Sequence, residues 1–207
     1  NDGGKLIVVR ANANTVGDAL RQAHITVYRQ DIVQPSLDSS FDSTITITRA
    51  APITVVDNGI ATTVRTHQKK INAILLDAGK TVSPTDAVYS DGVRIPLDGV
   101  PVAAAIPHSI IIQRSTPITI VDNGKSTSIT TSALNVAQAI SDANIQLYLA
   151  DGVTPSLASP LRSGMTITLD RASPIKIQVD GQILQTRTRR KIVGEVLTDV
   201  GVMLTGL

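Results

Sequence analysis

The chain has 207 residues, of which 42% are hydrophobic and 17% charged, and this balance is typical of a folded protein and excludes a disordered one. It has no cysteine, which excludes disulfides, thiolate metal sites and a cysteine nucleophile. A net charge of +2 and a pI near 9.1 favour anionic partners mildly and are too weak to indicate nucleic acid. No stretch reaches the roughly 20 consecutive apolar residues of a membrane span, so we expect none in this segment.

One phrase occurs three times along the chain. It reads RAAPITVVDNG at residues 49–59, RSTPITIVDNG at 114–124 and RASPIKIQVDG at 171–181. The distance between successive copies suits a small folded domain better than one turn of a solenoid. Because Val, Ile and Thr dominate and aromatic residues make up only 2% of the chain, we expect these domains to be rich in strands.

Each phrase opens a predicted β-hairpin. Apolar and polar residues alternate, a two-residue turn follows, and a second run rich in Thr comes after it. Residues at such a turn must accept a positive φ at low cost. The predicted turns are Asn58 with Gly59, Asn123 with Gly124, and Asp180 with Gly181.

An amphipathic helix is predicted after each hairpin, and its four copies align without gaps. Apolar residues at i, i+3, i+4 and i+7 share one face of each helix. They are Val16, Ala19, Leu20 and Ala23; Ile71, Ile74, Leu75 and Ala78; Val136, Ala139, Ile140 and Ala143; and Val193, Val196, Leu197 and Val200. The next residue in each copy tolerates the left-handed conformation and is predicted to stop the helix. These structural helix stops are His24, Gly79, Asn144 and Gly201.

A loop and a returning strand complete the predicted unit. The loop carries Asp31, Val33, Pro35 and Leu37 in one copy and Asp151, Val153, Pro155 and Leu157 in another. The strand follows at residues 44–48 and 166–169. The second unit is longer because residues 98–108 form an insertion, either an extra hairpin or a loop. The linkers at 49–51 and 171–173 are short and lack Gly, which predicts stiffly strung units.

Hairpin, helix, loop and returning strand is the element order of a β-grasp domain, in which the last strand lies beside the first. We therefore expect an α+β protein of tandem β-grasp, ubiquitin-like domains arranged as an elongated rod. The predicted units span residues 1–51, 52–116, 117–173 and 174–207. We expect the first to lack its opening strand and the last to end after its helix, so that both termini fall inside domains.

These motifs resemble a bacterial ubiquitin-like repeat known as a domain of unknown function. The PITVVDNG hairpin, the Ala-Gly or Ala-Asn helix end, the Asp-x-Val-x-Pro-x-Leu loop and the exit strand TITITRA carry the resemblance over nearly the whole chain. The repeat occurs in tandem in resuscitation-promoting factors and related cell-wall hydrolases. The resemblance implies a secreted or cell-wall-associated bacterial protein, with a wall-adhesive module and a peptidoglycan-cleaving domain elsewhere.

The residues themselves offer no predicted catalytic, cofactor or metal site. His24, His67 and His108 fall at unrelated positions, and the single glutamate, Glu195, is expected on the exposed side of the last helix near its N-terminal turn. Turn chemistry accounts for Asp57, Asp122 and Asp180, and no metal-ligand spacing occurs. A basic cluster at Arg187, Arg189, Arg190 and Lys191 is interpreted as a solvated strand end.

Sugar binding is the alternative considered for two equivalent tyrosines, Tyr28 and Tyr148. Sugar rings typically stack on exposed aromatic rings, whereas a packing tyrosine keeps only its hydroxyl in water. The sequence therefore leaves a cell-wall polymer as one possible partner and further copies of the chain as another.

Three functional hypotheses remain from the sequence. The first is a non-catalytic extracellular spacer that positions a wall-cleaving or wall-binding domain. The second is a subunit of a filament or surface layer, assembled when incomplete end units accept a strand from a neighbour. The third is a receptor or adhesin, with residues 100–107 as its first candidate contact surface.

Overall fold

A computed structural model describes residues 1–41, 43–96 and 106–202. The chain divides into two compact units between Arg114 and Ser115. We call the four predicted domains, residues 1–51, 52–116, 117–173 and 174–207, repeats 1 to 4. The expected α+β class is confirmed, with short helices and several sheets. No helix within the described residues combines the length and the apolar character that a membrane span requires.

The described residues of unit 1 form two helices and seven strands. In chain order they are α1 (Val16–Gln22), β1 (Ile32–Gln34), β2 (Thr46–Thr48), β3 (Ala51–Asp57), β4 (Ile60–Thr66), α2 (Ile71–Asp77), β5 (Ala87–Ser90), β6 (Val93–Ile95) and β7 (Ser109–Gln113). Strands β1 and β2 form an antiparallel pair. The other five form one sheet in the order β4-β3-β7-β5-β6, in which β7 runs parallel to β3 with Val55 beside Ile110. The returning strand of repeat 2 therefore lies beside its first strand.

Unit 2 contains a similar mixed sheet, which here precedes the separate strand pair. Its elements are β8 (Thr116–Asp122), β9 (Lys125–Thr131), α3 (Val136–Asp142), β10 (Gly152–Thr154), β11 (Met165–Asp170), β12 (Ser173–Val179), β13 (Gln182–Thr188) and α4 (Val193–Asp199). A four-stranded sheet has the order β10-β11-β8-β9, with β11 parallel to β8, and β12 pairs antiparallel with β13.

The hairpin turns have the backbone that their residues favour. Asn58 has a φ of 51° and Gly59 a φ of 78°, and nearly the same values, 50° and 78°, occur at Asn123 and Gly124. Asp180 has a φ of 49° before Gly181 at 78°. Two successive positive φ angles give a turn whose twist matches that of the flanking strands. The sheet therefore continues up to the turn on both sides.

The second residue after each of the four helices also has a left-handed backbone. Their φ angles are 53° at His24, 67° at Gly79, 54° at Asn144 and 75° at Gly201. In each case the next residue donates a backbone hydrogen bond back to the helix, as Ile25 does to the carbonyl of Leu20 at 2.9 Å. This second bond satisfies a carbonyl that the helix itself leaves unpaired.

The apolar helix face forms the core in the first three repeats. Val16, Ile74 and Val136 are completely buried, and each packs against the inner face of its sheet. Helix α4 differs, since Val196, Leu197 and Val200 are half-buried and the side chain of Val193 is 73% exposed. The apolar residues of α4 have the expected spacing, but no described residue of this helix is fully buried.

Repeat 2 departs from the other repeats at the Asp91–Gly92 turn. Both residues have positive φ, 46° and 83°, and they join β5 to the extra strand β6. Strand β5 corresponds to β1 and β10, because each of the three pairs antiparallel with the returning strand of its repeat. The extra structure therefore begins before the expected insertion at 98–108, most of which lies outside the described residues.

Candidate functional site

Three arginines occupy the same place at the end of the returning strand. Arg171 donates from Nε and Nη2 to both carboxylate oxygens of Asp122, at 2.8 and 2.6 Å. Its Nη1 donates to Asp151 Oδ2 and to the carbonyl of Gln146, both at 2.7 Å. One guanidinium thus ties the hairpin end, the loop and the returning strand together with four hydrogen bonds.

The same arrangement occurs in repeats 1 and 2. Arg114 donates to both oxygens of Asp57 at 2.8 and 2.9 Å and to Asp86 at 2.9 Å. Lys80 adds its ammonium 3.2 Å from Asp57. In repeat 1 the corresponding three residues are Arg49, Asp2 and Asp31. We call each of these three-residue clusters an arginine lock.

The loop carboxylates of the locks are buried and also hold the backbone. The side chain of Asp151 is 1% exposed and that of Asp31 is fully buried. Asp151 accepts hydrogen bonds from the backbone N–H groups of Tyr148 at 3.1 Å and Ala172 at 2.8 Å. Each buried carboxylate is therefore paired with a cation and with backbone donors, as burial of a charge requires.

The locks shift the pKa of their carboxyl groups downward. Hydrogen bonds from Arg114, assisted by Lys80, outweigh burial and lower the pKa of Asp57 to about 2. The Arg171 guanidinium likewise holds the pKa of Asp122 below its usual range. Burial raises the pKa of Asp31, but hydrogen bonds from Tyr28, Ala50 and Arg49 outweigh it and the net shift is downward. Since the charged forms are favoured, these groups serve as anchors rather than as proton donors near neutral pH.

A second set of contacts joins successive repeats within unit 1. The guanidinium of Arg65, on strand β4 of repeat 2, lies 3.5 Å from the centre of the Tyr28 ring in the loop of repeat 1. His67 Nε2 lies 2.7 Å from the carbonyl oxygen of Gln30 in the same loop. Because a carbonyl only accepts, Nε2 carries the proton and donates it. We call this pair of contacts a joint.

Unit 2 contains a joint at the equivalent positions. Arg187 lies 3.7 Å from the centre of the Tyr148 ring, and Arg189 Nε donates to the carbonyl of Ala150 at 2.9 Å. A stacked cation over an aromatic ring is worth about 0.5–1 kcal/mol at an exposed site. The short linker already connects the two successive repeats at one point, and the joint connects them at a second.

The joints bear directly on the sugar-binding alternative. A face of Tyr28 and a face of Tyr148 are covered by arginine, although the residues remain 43% and 41% exposed. A sugar ring would have to displace the guanidinium or use the opposite face. The arrangement favours packing tyrosines at these two positions.

The three histidines and the single glutamate, for which the sequence predicted no catalytic role, have separate surroundings. His24 ends α1, His67 belongs to a joint, and the imidazole of His108 lies 3.8 Å from the carboxylate of Asp91 with its side chain 95% exposed. Glu195 lies in the first turn of α4, 3.6 Å from Arg190. In the described part of the chain, no group of three or more His, Asp or Glu side chains is arranged to hold a metal ion.

The turn aspartates have a role that turn chemistry does not describe. Asp57 and Asp122 end strands β3 and β8 and belong to arginine locks, whereas Asp180 is a turn residue with positive φ. The sequence interpretation missed these locks. The available signal was the constant Arg that opens the repeated phrase, together with an Asp at the ninth position of the phrase in two of its three copies.

Comparison with protein families gives four matches to one model, the G5-linked ubiquitin-like domain. The matches cover residues 1–38, 53–89, 118–158 and 175–206, which together make up more than half of the chain. Each match begins near a hairpin or its turn and includes the helix that follows.

Two curated proteins are similar to the chain over most of its length. Resuscitation-promoting factor Rpf2 of Corynebacterium glutamicum is 31% identical over 168 residues, which are 80% of this chain and 42% of that protein. The putative cell wall shaping protein YabE of Bacillus subtilis is 24% identical over 183 residues, or 87% of this chain and 43% of that protein. The chain thus spans less than half the length of these relatives.

Proposed function

Because the chain belongs to the family of G5-linked ubiquitin-like domains, we propose that it is a non-catalytic spacer in an extracellular, cell-wall-associated bacterial protein. The names of two relatives, a resuscitation-promoting factor and a putative cell wall shaping protein, support the cell-wall setting. In this proposal the four repeats, 1–51, 52–116, 117–173 and 174–207, follow one another in an elongated rod. Any catalytic activity belongs to another domain of the whole protein.

The observation that carries this proposal is the recurrence of the joint. In both units a tyrosine in the loop of one repeat supports an arginine from the second hairpin strand of the next. In both, the residue two positions after this arginine donates to the backbone carbonyl two positions after the tyrosine. The donors and acceptors are His67 with Gln30 and Arg189 with Ala150. A flexible connection needs neither contact, whereas a spacer that holds a set direction needs both.

The arginine locks support the same role. Arg49 and Arg171 lie at the start of the short linkers, and each guanidinium fixes the last residue of its repeat to the body of that repeat. The next backbone N–H, from Ala50 or Ala172, donates to the buried loop aspartate at 2.9 or 2.8 Å. The free length of linker is thereby reduced to one or two residues, which limits the directions available to the next repeat.

Small-angle X-ray scattering combined with light scattering across a concentration series tests the spacer. We expect a concentration-independent monomer whose scattering profile is that of an elongated particle. The variant carrying Tyr28→Ala and Tyr148→Ala keeps both repeat cores and should give a broader distribution of end-to-end distances. The variant carrying Tyr28→Phe and Tyr148→Phe keeps the rings and serves as the matched control.

Two outcomes would contradict the spacer. A compact or freely jointed profile for the unmodified chain would exclude a stiff rod. Growth end to end with increasing concentration would favour the filament alternative, in which a strand from one copy completes the sheet of another.

A further inference from the structure

We propose that unit 1 carries a binding site for a linear acidic glycopolymer, formed by Arg65, His67, Lys69 and Lys70. We call these four residues the basic rim. They occupy the end of strand β4 and the connection to helix α2. The inference goes beyond the spacer role and does not depend on it, because the rim lies within a single compact unit.

The rim has more positive charge than its surroundings neutralise. Lys69 and Lys70 are exposed, and Arg65 is half-buried against Tyr28. Among residues 1–41, 43–96 and 106–202, no carboxylate lies within ion-pair distance of Arg65, Lys69 or Lys70. Since nothing described balances these cations, an anionic ligand can approach them without first breaking an ion pair.

Four aspartates of unit 1 are engaged away from the rim, whereas Asp77 accepts a hydrogen bond from Thr66, which lies between Arg65 and His67. The two locks of unit 1 hold these four aspartates, and each of those carboxylates is bound to an arginine. The overall net charge of +2 therefore hides a local excess of positive charge on the rim. Such a local excess attracts polyanions far more strongly than the net charge of the chain suggests.

The other repeats provide a comparison at the same positions. In repeat 4 the rim corresponds to Arg187, Arg189, Lys191 and Ile192, and Arg189 pairs with Asp170 at 3.2 Å. Arg190, which aligns with Gln68, pairs with Asp199 at 2.9 Å. In repeat 3 the segment from Thr130 to Asn135 contains no charged residue. Of these three segments, as far as the structure describes them, the one in repeat 2 has the most cations without a carboxylate partner.

The geometry of Arg65 suits an oxyanion. Its guanidinium carbon lies 3.5 Å from the centre of the Tyr28 ring, and this contact orders the side chain before any ligand arrives. A planar guanidinium offers paired N–H donors at its edge, which match the two oxygens of a carboxylate or the oxygens of a phosphate. Lys69 and Lys70 add mobile point charges that can follow a repeating anion.

The surroundings favour a sugar polymer over nucleic acid. Strand β4 is an edge strand of its sheet, and the exposed hydroxyls of Thr62 and Thr63 lie on it before the rim. Hydroxyls and free edge carbonyls can bond sugar hydroxyl groups. Binding of single-stranded nucleic acid typically needs exposed aromatic rings for base stacking, and Tyr28 already carries Arg65 on one face.

Binding of the 207-residue chain to polygalacturonate, measured by isothermal titration calorimetry at two salt concentrations, tests the proposal. The variant carrying Lys69→Gln and Lys70→Gln should bind at least about tenfold more weakly and show a shallower salt dependence. The control carrying Lys125→Gln and Lys176→Gln loses the same charge at exposed positions outside the rim and should change affinity less than about twofold. Lys191→Gln should have a smaller effect than the rim variant.

Further probes identify the source of the oxyanion. Inorganic polyphosphate binding more tightly than polygalacturonate would assign the rim to phosphate groups of the polymer, and the reverse order would assign it to carboxylates. Neutral dextran should not bind. Three results would each overturn the proposal. The unmodified chain could bind neither polygalacturonate nor polyphosphate, the rim and control variants could lose the same affinity, or single-stranded DNA could bind more tightly than either polymer.

Discussion

Arg65 of repeat 2 stacks on Tyr28 of repeat 1, with 3.5 Å between the guanidinium carbon and the centre of the ring. The two residues belong to different repeats, and each is also held within its own repeat. Tyr28 is fixed because its backbone N–H donates to Asp31 at 3.0 Å, and Arg65 lies on a paired strand. The stack therefore joins two ordered bodies, which is the condition for a contact to transmit orientation.

Removing the ring should loosen this joint without unfolding either repeat. For Tyr28→Ala we expect the backbone amides of repeats 1 and 2 to lose a common rotational correlation time in ¹⁵N relaxation measurements. The global free energy of unfolding should change by only about 1 kcal/mol, the size of an exposed cation–π contact with some lost packing. Tyr28→Phe keeps the ring face and should behave like the unmodified chain. Unchanged relaxation in Tyr28→Ala would show that the stack does not brace the joint.

Breaking an arginine lock should cost much more than breaking a surface ion pair. Arg171→Gln leaves the carboxylate of Asp151 buried without its cation, so we expect unit 2 to lose about 3 kcal/mol of its free energy of unfolding. Arg21→Gln removes an exposed pair with Asp18 and should cost less than about 1 kcal/mol. Urea denaturation of both variants makes the comparison. Similar losses in the two would mean that the lock is no stronger than a surface pair.

The locks also predict how stability depends on pH. A carboxyl group whose pKa is lower in the folded state stabilises the fold above its unfolded pKa, and this contribution disappears as the pH falls through the folded value. For Asp57, with a folded pKa of about 2, that contribution is roughly 2 kcal/mol at neutral pH. We therefore expect stability to be nearly constant from pH 7 to about 5 and to fall between about 4 and 2.

Carbon-detected NMR titration of the aspartate carboxyl groups measures this shift directly. Asp57 should titrate near 2, and Asp122 should titrate below the ordinary aspartate value. In Arg114→Gln the pKa of Asp57 should rise, because the largest cause of its shift is the hydrogen bonding from Arg114. A value near 4 for Asp57 in the unmodified chain would contradict the lock geometry.

The sequence predicted the elements that depend on local spacing and missed the contacts that depend on the fold. The i, i+3, i+4, i+7 pattern placed Val16 and Leu20 on the buried face of α1, because one helix fixes both positions. The lock between Arg114 and Asp57 joins residues 57 positions apart, and no periodicity relates them. Asp86 was missed for a further reason: the loop of repeat 2 lacks the Pro-x-Leu motif that aligned Asp31 with Asp151.

A buried threonine pins the end of the second hairpin strand to the helix in the same way in two repeats. Thr131 donates to Asp142 at 2.6 Å and accepts from the backbone N–H of Ala133 at 3.0 Å, and Thr66 makes the equivalent contacts. Thr131→Val keeps the shape and removes both hydrogen bonds, which leaves the N–H of half-buried Ala133 without this acceptor and exposes the carboxylate of Asp142 to water alone. We expect a loss of about 1–3 kcal/mol in the unfolding of unit 2. The neighbouring Thr130 is exposed, so Thr130→Val should stay within about 0.5 kcal/mol of the unmodified chain.

The helix stop at His24 offers a test in the stabilising direction. Its φ of 53° lies in the left-handed region, which costs a non-glycine residue about 1–2 kcal/mol, and Gly79 and Gly201 occupy the equivalent position without that cost. His24→Gly should therefore raise the free energy of unfolding of unit 1 by about 0.5–1 kcal/mol, part of the gain being offset by the greater backbone freedom of glycine in the unfolded chain. His24→Val should lower it, because a β-branched residue tolerates this conformation least. If the His24→Val variant unfolded at a higher temperature than the His24→Gly variant, residue 24 would not be a left-handed helix stop.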